Sequence, residues 1–388
     1  MNAAAWIFCL CLAWVIWVIA GYPLWLALRA RLWGCPPLSG SYEPTITVIL
    51  PVHNGDRFLA AKLESILNSE YAPEKLNILI LSDGSTDGTD ALAGEFSGRF
   101  PARVRFIRLP RGGKAATLNV ALTEVTSEVL VLTDVRQCLD PGCIRFLAET
   151  MHDPQVGVAS GDLLILAGAS SEETNVGLYR RYESWIRKNL SLTDSLLGAT
   201  GAVYAIRRTL VRPLPDDCIL DDVWLPMQAV LAGYRSVWNE HAVAWDYPTG
   251  LKEEFVRKVR TQAGVFQLFW QLPGLFSSRN RLRWPFFVLK FGRLLMPEFL
   301  LICFLVSFWL QPPFNLFTVA GQLLFYALAM LDTFLPEASF IKRATAPMRA
   351  FVVLLAAALV AVSIFFSNPA NIWKRTNVRP PRHDQPSS

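Results

Sequence analysis

Two short stretches of sequence decide the fold of this chain. Residues 46–54 read ITVILPVHN, and residues 76–89 read LNILILSDGSTDGT. Each stretch begins with a run of apolar, mostly branched side chains and ends in polar residues, a pattern typical of a buried strand followed by a loop. Between them, Asp56–Asn68 has the periodicity of an amphipathic helix. The two stretches therefore predict strands at Ile46–Val52 and Leu76–Leu81, joined by a helix.

The same alternation of strand and helix continues along the chain. Val104–Leu109 and Val129–Thr133 are predicted as the third and fourth strands, with helices at Asp87–Phe96 and Lys114–Val125. Alternation at this spacing indicates an α/β domain with a mostly parallel sheet and helices on both faces. In such sheets, ligands bind beyond the carboxyl ends of the strands.

Polar residues follow each of the four predicted strands. The candidate site residues at these strand ends are Asn54 with Pro51 at the first, Asp83 at the second, Lys114 at the helix start after the third, and Asp134 at the fourth. Each cluster alone is as typical of a turn or a helix cap as of a site. Together, they place carboxylates suited to a ribose or a metal beside a lysine and a helix N-terminus suited to a phosphate.

The composition indicates a membrane protein. Of 388 residues, 52% are hydrophobic and 18% are charged, against about a quarter charged in soluble domains. These proportions exclude a disordered chain and a small disulfide scaffold. The apolar residues concentrate in four segments: Ala3–Leu28, Leu294–Leu310, Phe314–Leu331 and Ala350–Phe366. Because a membrane helix needs about 20 apolar residues, we expect a retained anchor in residues 1–30 and about three spans in residues 294–367.

The basic residues predict an orientation. Arg29 and Arg31 follow the first apolar segment, so residues 44–275 are expected to form a cytosolic domain. The seven cysteines contain no C-x-x-C pair, which agrees with a reducing cytosol. Residues 281–293 mix basic and aromatic side chains, so they are either an interfacial segment or the flank of the next span. Three C-terminal spans would put the basic tail, residues 368–388, outside, against the positive-inside rule. Therefore either that rule is broken or one apolar segment does not span.

Seven ordered pieces resemble the membrane-bound branch of glycosyltransferase family 2, which includes cellulose, chitin, hyaluronan and poly-N-acetylglucosamine synthases. The resemblance covers residues 46–270 and implies a nucleotide-sugar-binding α/β domain of GT-A type, flanked by transmembrane helices. The matching pieces are ITVILPVHN, ILILSDGSTDGT, GGKAATLNVAL, VLVLTD, GATGAVYAIRR, ILDDVWLP and EEFVRKVRTQAGVFQ.

The resemblance implies roles for the donor site. Asp83 matches the aspartate that recognises the uridine of a UDP-sugar, with Pro51 and Asn54 beside the donor. Asp134 matches the first aspartate of the D-x-D motif, which holds Mg²⁺ or Mn²⁺ on the diphosphate. Lys114 would lie near the sugar-phosphate part of the donor. Asp162 resembles the acidic residue near the sugar, although a turn at a strand end would look the same.

The resemblance also implies catalytic roles. Asp222, beside Asp221, matches the last residue of the T-E-D or G-D-D motif, the general base that takes the proton of the acceptor hydroxyl. Either aspartate could instead cap the following helix. Arg257, Lys258 and Arg260 occupy the place of the Q-x-x-R-W motif and would stabilise the charge of the departing UDP. Alternatively, they form a solvated helix face or bind lipid headgroups.

Two positions depart from the family pattern. The D-x-D motif reads Asp134-Val135-Arg136, so a cation stands where the second carboxylate belongs. One carboxylate with phosphate oxygens and water can still hold Mg²⁺, or Arg136 partly replaces the metal by contacting phosphate. Thr261 stands where the polymerising members have a tryptophan that stacks on the acceptor sugar. This second departure weakens the case for a processive synthase.

The sequence therefore predicts an inverting glycosyltransferase in a bacterial inner membrane, with its catalytic domain in the cytosol. The expected partners are a nucleotide-diphosphate sugar, UDP-linked by resemblance, a glycan or lipid-linked acceptor, and membrane lipid; no nucleic acid is expected. A processive polysaccharide synthase is one alternative. A non-catalytic scaffold with a degenerate transferase domain is another, kept open by Arg136.

Overall fold

The computed structural model describes residues 2–166, 171–247, 251–336 and 339–366, with backbone alone for 171–180 and 251–252. The predicted basic tail, residues 368–388, lies outside the described residues. The chain divides into two compact units. We call residues 35–166 and 190–247 the sheet unit. The helical unit comprises the other described residues, at 2–34, 171–189, 251–336 and 339–366.

The described strands and helices are the following. The strands are β1 Ile46–Val52, β2 Leu76–Asp83, β3 Val104–Leu109, β4 Val129–Thr133, β5 Cys138–Leu139, β6 Val156–Ile165, β7 Val203–Arg207 and β8 Arg235–Asp246. The helices are α1 Ala3–Ile16, α2 Tyr22–Trp33, α3 Asp56–Leu67, α4 Thr89–Arg99, α5 Lys114–Glu124, α6 Cys143–Thr150, α7 Ser171–Thr193, α8 Asp221–Leu231, α9 Leu251–Gln271, α10 Arg283–Phe286, α11 Gly292–Leu294, α12 Met296–Ser307, α13 Phe314–Leu331 and α14 Lys342–Ala361.

The sheet unit contains one mixed sheet with the strand order β3-β2-β1-β4-β7-β6-β8-β5. The four predicted strands form its parallel half, because β1 pairs in parallel with β2 and β4, and β2 with β3. The other half is mixed: β7 is antiparallel to β4 and β6, β5 is antiparallel to β8, and β6 and β8 are parallel. The carboxyl ends of β1, β2 and β4 therefore meet at one edge.

The predicted apolar runs are strands because both of their faces are covered. Val48 and Leu50 on β1 are completely buried and pack with Ile78 on β2 and Val131 on β4. Leu59, Leu63 and Ile66 form the buried stripe of α3 in the same core. Burial on both faces explains why these runs lack the polar alternation of a half-exposed strand.

One predicted helix begins later than its sequence pattern suggested. The helix expected from Asp87 begins at Thr89 as α4. Asp87 precedes the helix, and its carboxylate accepts a hydrogen bond from the Thr89 backbone N–H at 3.0 Å. Aspartate is favoured in this position because it satisfies an N–H group that has no partner within the helix.

Three described helices of the helical unit are long and apolar enough to cross a membrane. A five-residue π-helical segment, Trp17–Gly21, joins α1 and α2 into one helix, Ala3–Trp33. The other two candidates are Phe314–Phe334 and Lys342–Phe365. The predicted span Leu294–Leu310 contains the shorter apolar helix α12, which ends before Gln311-Pro312-Pro313.

The predicted interfacial segment also lies in the helical unit. Residues 281–293 contain α10, a π-helical segment at Phe287–Phe291, and the start of α11. Arg293 forms an ion pair with Glu183 of α7 at 2.6 Å. The segment is thus tied to a neighbouring helix of the same unit, and its predicted interfacial position stays a prediction.

We predict that Gly161→Ala destabilises the sheet unit by about 1–3 kcal/mol, the usual cost of overpacking. A Cβ atom at Gly161 would lie 2.4 Å from the Ala242 carbonyl oxygen and 2.6 Å from Val203 Cγ1, at the irregular register between β6 and β8. Thermal unfolding of the detergent-solubilised chain measures the change. Gly94→Ala in the exposed interior of α4 is the control and should stabilise the chain by about 1 kcal/mol. Equal unfolding temperatures for the two variants would contradict the prediction.

Candidate donor-binding and catalytic site

The centre of the candidate site is the ammonium group of Lys114. Its Nζ lies 3.1 Å from Asp134 Oδ1 and 3.1 Å from Asp221 Oδ2. Burial alone would lower the pKa of Lys114, but the charges of three surrounding aspartates, at 134, 221 and 222, outweigh burial and raise it. The lysine therefore stays charged at neutral pH, and it joins the end of β4 to the start of α8.

Local structure explains why these residues meet. Lys114 is the first residue of α5 and follows Gly113, whose φ of 87° is a left-handed conformation that favours glycine. Asn119, one turn further along α5, donates from Nδ2 to the Leu214 carbonyl at 2.9 Å and accepts from the Leu214 N–H at 2.7 Å. This pair of hydrogen bonds fixes the loop that leads into α8, which begins at Asp221.

Asp222 lies next to two glycines of the GATGA segment, Gly198 and Gly201. The Ala199 N–H donates to the Asp222 carbonyl at 2.7 Å, and a Cβ atom at Gly201 would lie 2.8 Å from Asp222 Oδ2. Gly198 has φ 135° and packs on Val223. Gly201 thus leaves room for the Asp222 carboxylate, which a larger side chain at position 201 would crowd.

The carboxylate of Asp83 is held by the loop before α5. Its Oδ1 accepts from the N–H groups of Gly112 at 2.7 Å and Gly113 at 3.1 Å, and Arg111 forms an ion pair with Oδ2. The Asp83 side chain is 5% exposed, whereas the Arg111 side chain is 55% exposed. Residues 111–114 therefore link Asp83 directly to the Lys114 cluster.

The end of β1 is tied to the same loops. His53 Nδ1 lies 2.7 Å from the Asp83 carbonyl oxygen. Asn54 has φ 50°, a left-handed conformation that asparagine tolerates. Its side chain accepts from the Thr86 N–H at 2.7 Å and donates to Thr86 Oγ1 at 3.1 Å. Asn54 thus fixes the DGSTDG loop, while Pro51 is a partly buried residue of β1 that pairs with Leu81.

Arg136 does not have the role that its place in the D-x-D motif suggested. Its Nη2 donates to Asp246 Oδ2 at 2.6 Å, and Gln137 Nε2 donates to the same oxygen at 3.1 Å. Asp246 ends β8 and is 1% exposed. The alternative in which Arg136 contacts the donor phosphate therefore loses its geometric basis, because the guanidinium is engaged with a buried carboxylate.

A divalent cation fits this site as a metal shared with the donor. Among the described residues, no group of three or more His, Cys, Asp or Glu side chains is arranged to hold a metal ion. Asp134 offers a carboxylate whose side chain is 43% exposed. Mg²⁺ and Mn²⁺ accept phosphate oxygens and water as further ligands, so one protein carboxylate suffices when a diphosphate is bound.

Tyr204 supports the view that the cluster accepts a further polar group. It lies on β7 opposite Leu132 of β4, is 1% exposed, and its hydroxyl has no hydrogen-bond partner among the residues that the structure describes. Burial raises the pKa of Tyr204 well above its ordinary value, and the charges of Asp221 and Asp222 raise it further. A buried hydroxyl of this kind usually bonds to water or a ligand.

The remaining predicted site residues fall in two places. Asp162 lies on β6 opposite Val243, and its Oδ1 accepts from the N–H of Leu163 at 2.9 Å. The three cations of the RKVRT segment lie on α9 in the helical unit. There, Arg257 forms an ion pair with Glu254, and Lys258 Nζ lies 3.7 Å from the same carboxylate. Burial lowers the pKa of Lys258, although Glu254 opposes the change. The predicted roles of these residues stay predictions.

Several residues that shape the site were not identified from the sequence. These residues are Arg111 on a loop, Tyr204 on β7 and Asp246 at the end of β8. Each of them pairs with a residue that is distant in the sequence. The one available signal was position: Arg111 directly precedes the GGK piece. Nothing in the local sequence marks Asp246 as the partner of Arg136, because 110 residues separate them.

Comparison with known proteins confirms the predicted family resemblance. Residues 47–213 match the family described as Glycosyl transferase family 2. The probable glycosyltransferase YdaM of Bacillus subtilis is 22% identical over 212 residues, covering 52% of this chain and 50% of YdaM. Poly-beta-1,6-N-acetyl-D-glucosamine synthase of Staphylococcus aureus is 22% identical over 290 residues, covering 72% of this chain and 69% of the synthase. The chain thus aligns with half to about two thirds of the length of these relatives.

The fold is shared with a solved structure. The mannosyltransferase PcManGT of Pyrobaculum calidifontis, solved in complex with GDP-Man and Mn²⁺, superposes with a TM-score of 0.67 at 20% sequence identity. The superposition covers 91% of this chain and 99% of that chain. The predicted α/β fold of GT-A type is confirmed by this likeness.

We predict that Lys114→Met destabilises the chain by about 2 kcal/mol at pH 7, in the range for hydrogen bonds to charged groups. Without the ammonium, three neighbouring carboxylates repel one another in the folded state. This repulsion requires ionised carboxylates, so the loss should shrink as the pH falls toward about 4. Thermal unfolding at several pH values measures this trend. Lys75→Met, which removes an exposed lysine paired with Glu43, is the control; a loss that does not change with pH would refute the prediction.

Proposed function

We propose that this chain, which carries a glycosyl transferase family 2 domain, is a membrane-bound inverting glycosyltransferase. It moves a sugar from a UDP-linked donor to a hydroxyl group of a glycan or lipid-linked acceptor. The catalytic domain comprises residues 44–275 and lies at the cytosolic face of a bacterial inner membrane. The observation that carries the proposal is the position of the Lys114 ammonium between Asp134 and Asp221, beside Asp222.

Donor binding is assigned to the loops at the carboxyl ends of β1, β2 and β4. Asp83 contacts the loop that begins α5, so a nucleotide with its base near Asp83 would direct its diphosphate toward Lys114 and the N-terminus of that helix. Unpaired N–H groups and a lysine at a helix start are suited to phosphate. The charge of Lys114, which its three carboxylates maintain, stabilises the departing diphosphate.

A divalent cation would be held by Asp134 together with the diphosphate of the donor. When bound, it would neutralise the negative charge that develops on the leaving nucleotide. The ion pair between Lys114 and Asp134 keeps the ammonium beside this carboxylate. The lysine and the cation would therefore act on the same diphosphate. The neighbour with the shared fold was solved with Mn²⁺, which agrees with this assignment.

Asp222 is assigned as the general base. The acceptor oxygen forms a bond to the anomeric carbon of the sugar while the bond to the diphosphate oxygen breaks, and the proton of the hydroxyl goes to the Asp222 carboxylate. One direct displacement inverts the configuration and turns an α-linked donor into a β-linked product. The neighbouring Asp221 forms an ion pair with Lys114 at 3.1 Å. Asp222 is thus assigned as the base, and Asp221 fixes the position of Lys114.

The membrane setting supports an acceptor that is bound to the membrane. Three described helices are long and apolar enough to span it. Arg29 and Arg31 lie near the end of the first of these helices, where basic residues are typical of the cytosolic side. Thr261 stands in place of the acceptor-stacking tryptophan, and its hydroxyl donates to the Arg257 carbonyl within α9 at 2.9 Å. A single transfer to a lipid-linked acceptor therefore agrees best with the sequence.

A processive polysaccharide synthase is the second candidate function. The similarity to the Staphylococcus aureus poly-beta-1,6-N-acetyl-D-glucosamine synthase favours it, because that alignment covers 72% of this chain. The two candidates share a donor site and differ in the product. Product length separates them: one added sugar on a lipid supports single transfer, and a ladder of longer products supports the synthase.

We expect purified chain in detergent, supplied with total membrane lipid and Mn²⁺, to release UDP from at least one UDP-sugar. The panel contains UDP-linked hexoses, UDP-N-acetylhexosamines and GDP-mannose, because one relative is named for an N-acetylglucosamine polymer and the neighbour was solved with GDP-Man. EDTA should abolish the release. Transfer from GDP-mannose alone would overturn the UDP assignment, and activity that persists in EDTA would overturn the metal role of Asp134.

We predict that Asp222→Asn lowers kcat by about 10²- to 10⁴-fold, the usual contribution of general base catalysis. An amide cannot take the acceptor proton, whereas donor binding does not need the charge of this residue. The affinity for UDP should therefore stay within about twofold of the wild-type value, since the lost interaction belongs to the transition state. Steady-state kinetics and UDP titration measure the two quantities. Asp216→Asn, at an exposed position of the preceding loop, is the matched control; normal turnover by Asp222→Asn would remove this residue as the base.

A further inference from the structure

Lys62 is a buried lysine that the proposed mechanism does not use. It lies on α3, and its side chain is 0% exposed in the core of the sheet unit. Its Nζ donates to Thr133 Oγ1 at 2.7 Å and to the Gln137 carbonyl oxygen at 2.5 Å. Both acceptors are neutral, so these hydrogen bonds do not neutralise the ammonium charge.

The two acceptors lie on either side of the turn that carries Asp134. Thr133 is the last residue of β4, and Gln137 directly precedes β5. Thr133 Oγ1 also donates to the Ala202 carbonyl at 2.6 Å. One ammonium group therefore fixes both ends of the turn formed by residues 134–136.

Further contacts hold the middle of the turn. Asp246 accepts from Arg136 and from Gln137, and a Cβ atom at Gly55 would lie 3.2 Å from Val135. The Asp134 carboxylate itself lies 3.1 Å from the Lys114 ammonium, and its side chain is 43% exposed. Such an arrangement restricts the directions in which the Asp134 carboxylate can point.

Stability alone does not explain a lysine at position 62. Burial lowers the pKa of Lys62 to about 8, although the charges of nearby groups that include Asp134 oppose the change. The lowered pKa means that the charged ammonium is destabilised in the folded state. An apolar side chain of similar length would avoid the desolvation of the ammonium. A buried charge of this kind beside a candidate site is therefore a candidate for a functional role.

We propose that Lys62 is a positioning residue, which fixes the turn of residues 133–137 and thereby sets the affinity of Asp134 for the divalent cation on the donor diphosphate. The inference rests on the proposed function, because it assumes that Asp134 and a nucleotide share a cation. Lys62 acts through hydrogen bonds to the turn and touches neither the donor nor the cation. Its effect should therefore be confined to metal-dependent binding.

The test is a titration of UDP binding with the full chain in detergent, in EDTA and at increasing Mn²⁺. Lys62→Met keeps the length of the side chain and removes the ammonium. We expect the Mn²⁺ concentration for half-maximal UDP binding to rise by about 10-fold or more, as for other residues that orient a metal ligand. UDP affinity in EDTA should not change, and the thermal unfolding midpoint should stay equal or rise.

Two further variants make the result specific. Lys75→Met removes an exposed lysine from the same unit and should leave the Mn²⁺ dependence as in the wild type. Thr133→Val removes one acceptor at nearly constant volume and should raise the Mn²⁺ requirement less than Lys62→Met. If Lys62→Met fails to fold, Thr133→Val carries the test alone. In the double variant, the two effects should not add, because both changes break one hydrogen-bonded unit.

The outcomes separate this inference from the proposed function. A wild-type chain whose UDP binding does not respond to Mn²⁺ would overturn the metal assignment of Asp134 and the inference with it. A wild-type chain that responds, with a Lys62→Met variant that responds equally, would overturn the inference alone. Loss of stability and of metal-free UDP binding together in Lys62→Met would show a structural role in place of positioning.

Discussion

The ion pairs of Lys114 are the interaction on which the site depends. One ammonium group at the start of α5 lies between the end of β4 and the start of α8, so it joins segments that are far apart in the chain. Without it, Asp134, Asp221 and Asp222 would bring three negative charges together in a partly buried space. Coulomb repulsion at such distances is several times stronger near a protein surface than in bulk water. The same lysine that makes this cluster of acids tolerable also supplies the positive charge that a diphosphate needs.

The elements around Lys114 position different parts of the site. The parallel half of the sheet brings the ends of β1, β2 and β4 to one edge, which puts Asp83 and Asp134 on either side of the end of β1. Gly201 leaves room for the Asp222 carboxylate where a Cβ atom would crowd it. The helical unit holds the apolar excess that dominates the composition, in helices of membrane-spanning length. The Lys114 cluster and the helices of membrane-spanning length thus lie in different units.

Much of the fold was predictable because the decisive strands are apolar runs buried on both faces. Ile46–Val52 and Val129–Thr133 were predicted at the bounds that the structure shows, and the polar residues after them lie in the candidate site. The second half of the sheet was not predicted, because its strands depend on pairings between distant segments. The segment expected as a span at Leu294–Leu310 contains the shorter apolar helix α12, Met296–Ser307. Local patterns predict elements well, whereas their partners are fixed by tertiary packing.

Arg136 shows how a single position can mislead until its partner is known. In the sequence, a cation in place of the second D-x-D carboxylate suggests either a lost metal site or a substitute for the metal. In the structure, Asp246 neutralises that cation across 110 residues, so Arg136 adds little net charge to the donor site. What it adds is a fixed attachment for the turn that carries Asp134, in addition to the attachment that Lys62 provides. The departure from the family pattern is therefore better understood as a change in how the turn is held, with the Asp134 carboxylate itself kept in place.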